Sequence, residues 1–190
     1  MTVGRAAAPP ARRVRRHDPG RRDRLVATAL DVIAAHGVAG ASHRAIARAA
    51  DVPLGSITYH FATLDELLAA AFTLHVDTVA PRFDERMRAA ADRDAVLECL
   101  VDHLAGDLLD SPRDLVLAVE LYVAAARNPL LRAVTQDWMR RSRRSLERHF
   151  EPVTARELDA LIEGLVLHSA LSTDPMGRDQ IRHALERFVR

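Results

Sequence analysis

The chain contains no lysine; all 27 of its basic residues are arginine. Codon bias in a GC-rich genome would produce that pattern without any special need for guanidinium groups, and is the preferred reading. There is one cysteine, Cys99, which excludes an intramolecular disulfide and fits a reducing cytoplasm. Its place in a helical pattern suits a buried, inert thiol. Aromatic residues make up only 4% of the chain. Alanine and leucine carry most of the apolar content, and both are strong helix formers, so composition leans towards an all-α fold. No run approaches the roughly 18 apolar residues of a membrane span. The N-terminus has arginine and proline but no apolar segment ahead of a cleavage site, so no secretion signal is expected. No stretch alternates like a strand, and there is no internal repeat.

What is present is unevenly distributed. Through His60 there are 10 arginines and 4 acids, a balance of +6, whereas the remainder carries 17 arginines and 22 acids, a balance of −5. A basic first third on an acidic remainder is what a chain shows when one end meets a polyanion, although a solvated basic tail gives the same count. The first 20 residues hold five arginines among Pro9, Pro10, Pro19 and Gly20, which reads as a flexible basic arm.

From Arg21 to His36 the apolar positions Leu25, Ala29, Val32 and Ile33 recur at helical spacing, and Gly37 supplies a stop. Ser42 suits the N-cap of a short helix over 43–50, with Ile46, Ala47 and Ala50 inward. Asp51-Val52-Pro53 breaks it, and a second short helix follows over 54–60. Thr63, ahead of Asp65 and Glu66, suits the cap of a connecting helix to about Val79 that ends at Pro81. Further helices are expected near 84–90, 93–109, 113–127, 129–149, 154–171 and 177–189, with Ser111-Pro112, Asn128-Pro129 and Glu151-Pro152 marking breaks. The expected architecture is all-α: an arm (1–20), a three-helix head (21–66) and a larger helical body (67–190).

Two short helices joined by a tight turn form the helix-turn-helix pattern. Small residues are needed where the helices cross, here Ala47 and Ala50. The second helix must offer polar tips to the major groove while apolar residues anchor it from behind. Ile57 and Phe61 suit the anchor; Ser56, Thr58 and His60 suit the outer side.

The combined run is specific. Leu25, Ala29, Ile33 and Gly37, then Arg44-Ala45-Ile46-Ala47, then Gly55-Ser56-Ile57-Thr58-Tyr59-His60-Phe61, then Glu66-Leu67-Leu68 resemble the DNA-binding domain of the TetR family of bacterial transcriptional regulators. The resemblance implies a homodimer with an all-α ligand-binding body, whose hold on an operator is relieved by a small molecule. It places Ser42 and Arg44 at positions that meet phosphates, and Leu54, Gly55, Ser56 and Thr58 at recognition-helix positions facing bases or backbone. Tyr59 and His60 fall at the phosphate-contacting aromatic and its neighbour. Three positions depart from the pattern: Asp51 stands where glycine is usual in the turn, Pro53 where serine is a common cap, and Leu64 where a lysine often touches phosphate. Pro53 suits a first helical position. The loss of a cation at Leu64 shifts weight onto Arg12, Arg13, Arg15, Arg16, Arg21 and Arg22, which are placed to track phosphates or the minor groove.

The body carries no catalytic set. His103 and Asp107 sit four apart on one expected helix but have no second metal-binding pair, and no nucleophile elbow is present. No metal or other cofactor is expected. An apolar pocket between helices is the better reading, with Met87, Cys99, His103, Tyr122, Trp138 and Met139 as candidate lining; each also suits plain core. The last two helices read as an interface: Leu158, Leu161, Ile162, Leu165, Val166 and Ser169 form one wide apolar face, and Ile181, Ala184, Leu185 and Phe188 another, part of which must pack within the monomer. The expectation is a cytoplasmic, dimeric, ligand-released repressor. A ligand-independent activator or architectural DNA binder, and a helical carrier or enzyme with a basic head, remain alternatives.

Overall fold

A computed structural model describes residues 19–107 and 111–189, so most of the arm, including Arg12, Arg13, Arg15 and Arg16, lies outside the described residues. Among the described residues there are nine α-helices and no strand. None of these helices is long and apolar enough to cross a membrane.

The head is α1 (Arg21–Gly40), α2 (His43–Ala49) and α3 (Leu54–His60). On α1, Leu25, Val26, Ala29, Leu30, Val32 and Ile33 are buried, the face the spacing of apolar residues marks out. Gly37 takes φ 69° and ψ 173° and interrupts the helical geometry, a conformation costly for a residue with a Cβ. Ser42 caps α2, its Oγ accepting from the Ala45 amide at 3.2 Å. The turn that follows is a Schellman arrangement. The Val52 amide donates to the Ala47 carbonyl, the Asp51 amide donates to Arg48, and Asp51 sits at φ 50°, where glycine would be unstrained. Pro53 is the N-cap of α3 rather than its first helical residue.

The largest departure from the sequence reading is α4 (Leu64–Ala89), one helix where Pro81 suggested two. Proline removes only its own amide from the ladder, and both Pro81 and Asp77, whose carbonyl loses its partner, lie on the exposed side of the helix. The buried stripe runs on past it through Phe83 and Met87, so packing outweighs the lost bond. Thr63 caps α4 by accepting from the Glu66 amide (3.2 Å), and Glu66 accepts in return from the Ala62 amide (2.9 Å).

The body continues with α5 (Arg93–Asp102), which passes into a π-helical turn, His103–Asp107, instead of running on as α-helix to 109. Then come α6 (Pro112–Ala125), α7 (Pro129–Leu146), α8 (Pro152–Leu171) and α9 (Arg178–Val189). The three prolines that marked breaks open α6, α7 and α8, where a missing amide costs nothing.

Two cores result. The first joins the head and the first half of α4 to Leu117, Leu121 and Ala125 of α6 and Leu131 of α7. The second gathers Phe83 and Met87 of α4 with α5, α8 and α9. Helix α4 therefore runs from one core into the other. It is tied to α7 by Arg141–Asp77 (2.6 Å), by the Ser145 hydroxyl on Asp84 (2.8 Å) and by Arg148–Asp84 (3.0 Å).

Of the residues read as an interface, Leu158, Ile162, Leu165, Val166, Ile181 and Leu185 are buried in the second core of the single chain. Leu161, Ser169, Ala184 and Phe188 are partly exposed. What α8 turns outward is a different stripe: Val153 (70% exposed), Ala160, Gly164, Leu167 and Leu171 (75% exposed).

Candidate nucleic-acid interface and internal cavity

Helix α3 has its anchor inside and its tips outside. Ile57 is fully buried and Phe61, just past the helix end, nearly so. The Arg22 guanidinium lies over the Phe61 ring, 5.0 Å from its centre. Opposite the anchor, Leu54 is 42% and Tyr59 84% exposed, the Tyr59 ring meeting the His60 ring edge-on at 5.0 Å. Gly55 and Thr58 are exposed, and Ser56 and His60 are half-buried. A Cβ on Gly55 would meet nothing within 4 Å, so nothing inside the molecule requires glycine there. Arg21 reaches the same face, its Nη1 donating to the Ser56 Oγ at 3.4 Å. Ser42 is exposed, as are Arg44 and Arg48, one turn apart on α2. The surface is a helix with polar tips, an aromatic ring standing in solvent and cations along both sides. Intramolecular packing does not account for the exposure of Leu54 and Tyr59.

The second feature is a cavity of about 60 Å³ between the two cores. Helix α4 contributes His75, Val79, Ala80 and Phe83 to its wall, and His103 closes it from the turn after α5. Asp114 and Ala118 come from α6, Trp138 and Ser142 from α7, and Ile162, Glu163 and Val166 from α8. Of the residues expected to line a pocket, His103 and Trp138 do. Tyr122 stacks behind Trp138 (6.0 Å between centres, 16° between planes). Met87 is fully buried in the second core, Cys99 is half-buried with its thiol 3.9 Å from the Arg86 carbonyl, and Met139 is half-buried outside the wall.

The ionisation pattern of the wall follows from burial. Burial holds the His103 imidazole down at about 4, helped by repulsion from Arg86. His75 is lowered for the same reason, although Asp114 lies 3.7 Å away and opposes it. The Glu163 carboxyl is pushed up to about 7, first by burial and then by Asp159, with Tyr122 acting against them. Asp159, one turn before it on α8, is also raised by burial, with Ser142 and Arg143 opposing. The Tyr122 hydroxyl is buried without a hydrogen-bond partner at ordinary length, and burial beside Glu163 keeps it protonated. A sequence signal for Glu163 does exist. Asp159 and Glu163, four apart, interrupt the otherwise apolar stretch 158–167, and an acid that a helix turns inward is seldom idle. Among the described residues no group of three or more His, Cys, Asp or Glu is placed to hold a metal ion, and the Asp107 side chain lies outside what the structure describes.

Two elements connect cavity and head: α4, and α6 through Glu120, whose carboxylate accepts from the Val38 amide at 2.7 Å at the end of α1.

Comparison with known proteins agrees with this geometry. Residues 25–71 match the family described as "Bacterial regulatory proteins, tetR family", and residues 91–190 match "Tetracyclin repressor-like, C-terminal domain". The crystal structure of SCO7518 from Streptomyces coelicolor A3(2) is 52% identical, covering 90% of this chain and 99% of that one, with a TM-score of 0.82. The multidrug binding protein EbrR, solved in complex with ethidium, is 38% identical over 90% of this chain and 99% of its own, with a TM-score of 0.77. The regulator CymR of Pseudomonas putida is 33% identical over 120 residues, 63% of this chain and 58% of that protein. The head with its outward α3, the helical body and these matches together establish that the chain belongs to the TetR family and is a DNA-binding transcriptional regulator.

Proposed function

We propose that the protein is a homodimeric repressor that leaves a palindromic operator when a small molecule enters the body cavity. The observation that carries this reading is α4, which is capped beside α3, passes through the head core and then forms one wall of the cavity. A displacement at His75 or Phe83 is thereby a displacement of the head. A cavity of about 60 Å³ is well below the roughly 300–1,000 Å³ of sites that hold drug-sized ligands. A ligand of that size must widen it, and so binds the widened state better. That difference in affinity is what a population shift requires; equal affinity would move nothing. EbrR, with its bound ethidium, supports the idea that bodies of this shape accept small molecules.

On DNA, Leu54, Gly55, Ser56 and Thr58 face the major groove, while Arg44, Tyr59, His60 and the capped end of α2 at Ser42 meet phosphates. Anisotropy titration with the DNA upstream of the gene should give binding that weakens steeply with salt. Salt-independent or absent binding refutes the assignment. Because Tyr59 is exposed, Tyr59→Ala should lower operator affinity about tenfold, the loss of one charge-assisted contact, with the melting temperature unchanged. An unchanged affinity removes Tyr59 from the interface.

Dimerisation supplies two recognition helices about 34 Å apart, one turn of DNA. The outward stripe of α8 suits it: a Cβ on Gly164 would meet nothing within 4 Å, leaving room for a second helix to approach closely. Gly164→Arg should therefore leave the single chain folded but convert a dimer to a monomer by light scattering. A variant that stays dimeric places the interface elsewhere.

A further inference from the structure

We propose that Arg21 is a sequence-reading residue: with Ser56 it forms a set of donors, drawn from two helices, that recognises a guanine in each half of the operator. The proposal rests on the placement of α3 in the major groove made above, and adds a reader that lies outside α3.

By sequence Arg21 belongs with Arg22 among the arginines placed to track phosphates or the minor groove. The structure separates the two. The Arg22 guanidinium lies over the Phe61 ring, 5.0 Å from its centre, whereas Arg21 is half-buried and its Nη1 donates to the Ser56 Oγ, 35 residues away in the chain. Arg21 is also fixed from behind. It opens α1, where the Arg24 amide donates to the Gly20 carbonyl at 3.0 Å, and Leu25 and Val26 in the next turn are buried in the head core. The start of α1 cannot swing away from α3 without opening that core.

Ser56 lies in the first turn of α3, the part of a recognition helix that contacts base edges. Beside it Gly55 has no side chain, and a Cβ built there would meet nothing within 4 Å. A guanidinium and a base edge therefore both have room against the helix. At 3.4 Å the bond from Arg21 is long, so it holds the guanidinium in place yet yields to a stronger acceptor. Its chemistry sets what that acceptor must be. A guanidinium carries five N–H donors in a planar fork and no acceptor. Because the Ser56 oxygen accepts from it, the serine O–H turns elsewhere and serves as a further donor. Thr58, by contrast, donates its proton to the Gly55 carbonyl at 3.4 Å. A face built of donors pairs with acceptors. In the major groove guanine presents two acceptors side by side, N7 and O6, whereas adenine sets a donor beside its N7 and cytosine offers a donor. A fork of donors favours guanine. A phosphate would satisfy the charge of Arg21 without reading sequence, and that is the distinction to be measured.

Full-length protein is used to select duplexes from a library randomised over its centre. The wild type should select a motif with a guanine at one position of each half-site. That preference should vanish from the Arg21→Ala selection while the rest of the motif stays. In anisotropy titrations on the selected duplex, 7-deazaguanine at that position, which lacks only the N7 acceptor, should weaken the wild type at least about fivefold and leave Arg21→Ala unchanged. Arg21→Lys keeps the charge without the fork, so it should lose the same preference with a smaller loss of overall affinity. Equal weakening of Arg21→Ala on every sequence, with its motif intact, makes Arg21 a phosphate contact and overturns the proposal. Full affinity of the wild type for the 7-deazaguanine duplex overturns it too, and that comparison needs no variant. The two readings fail differently. A wild type that selects no sequence sinks the major-groove placement of α3, and the reader with it. A wild type that selects a motif with no guanine dependent on Arg21 sinks the reader alone.

Discussion

Glu163→Gln should make the protein more stable at pH 8.5 and leave it nearly unchanged at pH 4, below the unfolded value of the carboxyl. The carboxyl is raised from 4.5 to about 7 in the folded chain, mainly by burial. A group raised in this way contributes stability that is fully present below its unfolded value and is lost as pH rises through its folded one. At alkaline pH the wild-type protein therefore carries a buried carboxylate without a full partner, at a cost on the order of 3 kcal/mol. Glutamine keeps the shape and never ionises. At about 2–4 °C per kcal/mol for a chain of this size, the variant should melt several degrees higher at pH 8.5. His75 and His103 bias the wild-type curve in the opposite sense. Their lowered values give stability that is present above about 6.5 and lost as pH falls. The test is consequently the difference between variant and wild type across pH, measured by thermal melts, in which the histidines cancel. Parallel curves would mean that Glu163 is solvated and that the cavity imposes no charge constraint.

The head is legible in sequence because each of its parts has a local cause. Leu25 to Ile33 recur at helical spacing, Gly37 stops the helix, Ser42 caps the next one and Ile57 anchors the third. Even the anomaly is legible: a residue other than glycine in the turn has to be one that tolerates positive φ, and Asp51 does so at 50°. Pro81 misleads for the opposite reason. Its local rule is sound, but the helix it should end is held by contacts with α7, more than 50 residues away, which no local rule contains.

The body is less legible because an apolar stripe looks the same whether it meets its own chain or another. Leu158 and Leu185 read as an interface and are buried in the second core, whereas the outward stripe of α8 runs through Ala160 and Gly164, residues too small to stand out in a count of apolar faces. The cavity follows the same pattern. His103 and Trp138 stand out in sequence as polar-tipped residues on middle helices. Glu163 is marked only by its spacing from Asp159, because a single acid in an apolar run reads first as the edge of the face. Its direction depends on the rotation of α8, which the surrounding helices set.

Glu120→Ala should destabilise the protein by about 1–3 kcal/mol, the cost of leaving a part-buried amide without its acceptor. The amide belongs to Val38, immediately after the point where Gly37 breaks α1 and releases it from the helical ladder. A carboxylate from α6, 2.7 Å away, takes the place of the missing helical carbonyl. Glu120→Gln should recover most of the loss, because its amide oxygen still accepts. The neighbouring Arg113–Asp31 pair is exposed and contributes less than about 1 kcal/mol, so it does not substitute. A double-mutant cycle separates this contact from a general weakening of α6. A Cβ on Gly37 would sit 2.9 Å from Glu120 Oε1, so Gly37→Ala carries both the strain of φ 69° and a clash with that carboxylate. Removing the carboxylate relieves the clash but not the strain. Gly37→Ala should therefore cost less in the Glu120→Ala background than in wild type, by at least about 0.5 kcal/mol in chemical denaturation. Strict additivity would show that the two residues do not meet in solution. Helix α4 would then be the one described route from the cavity to the head.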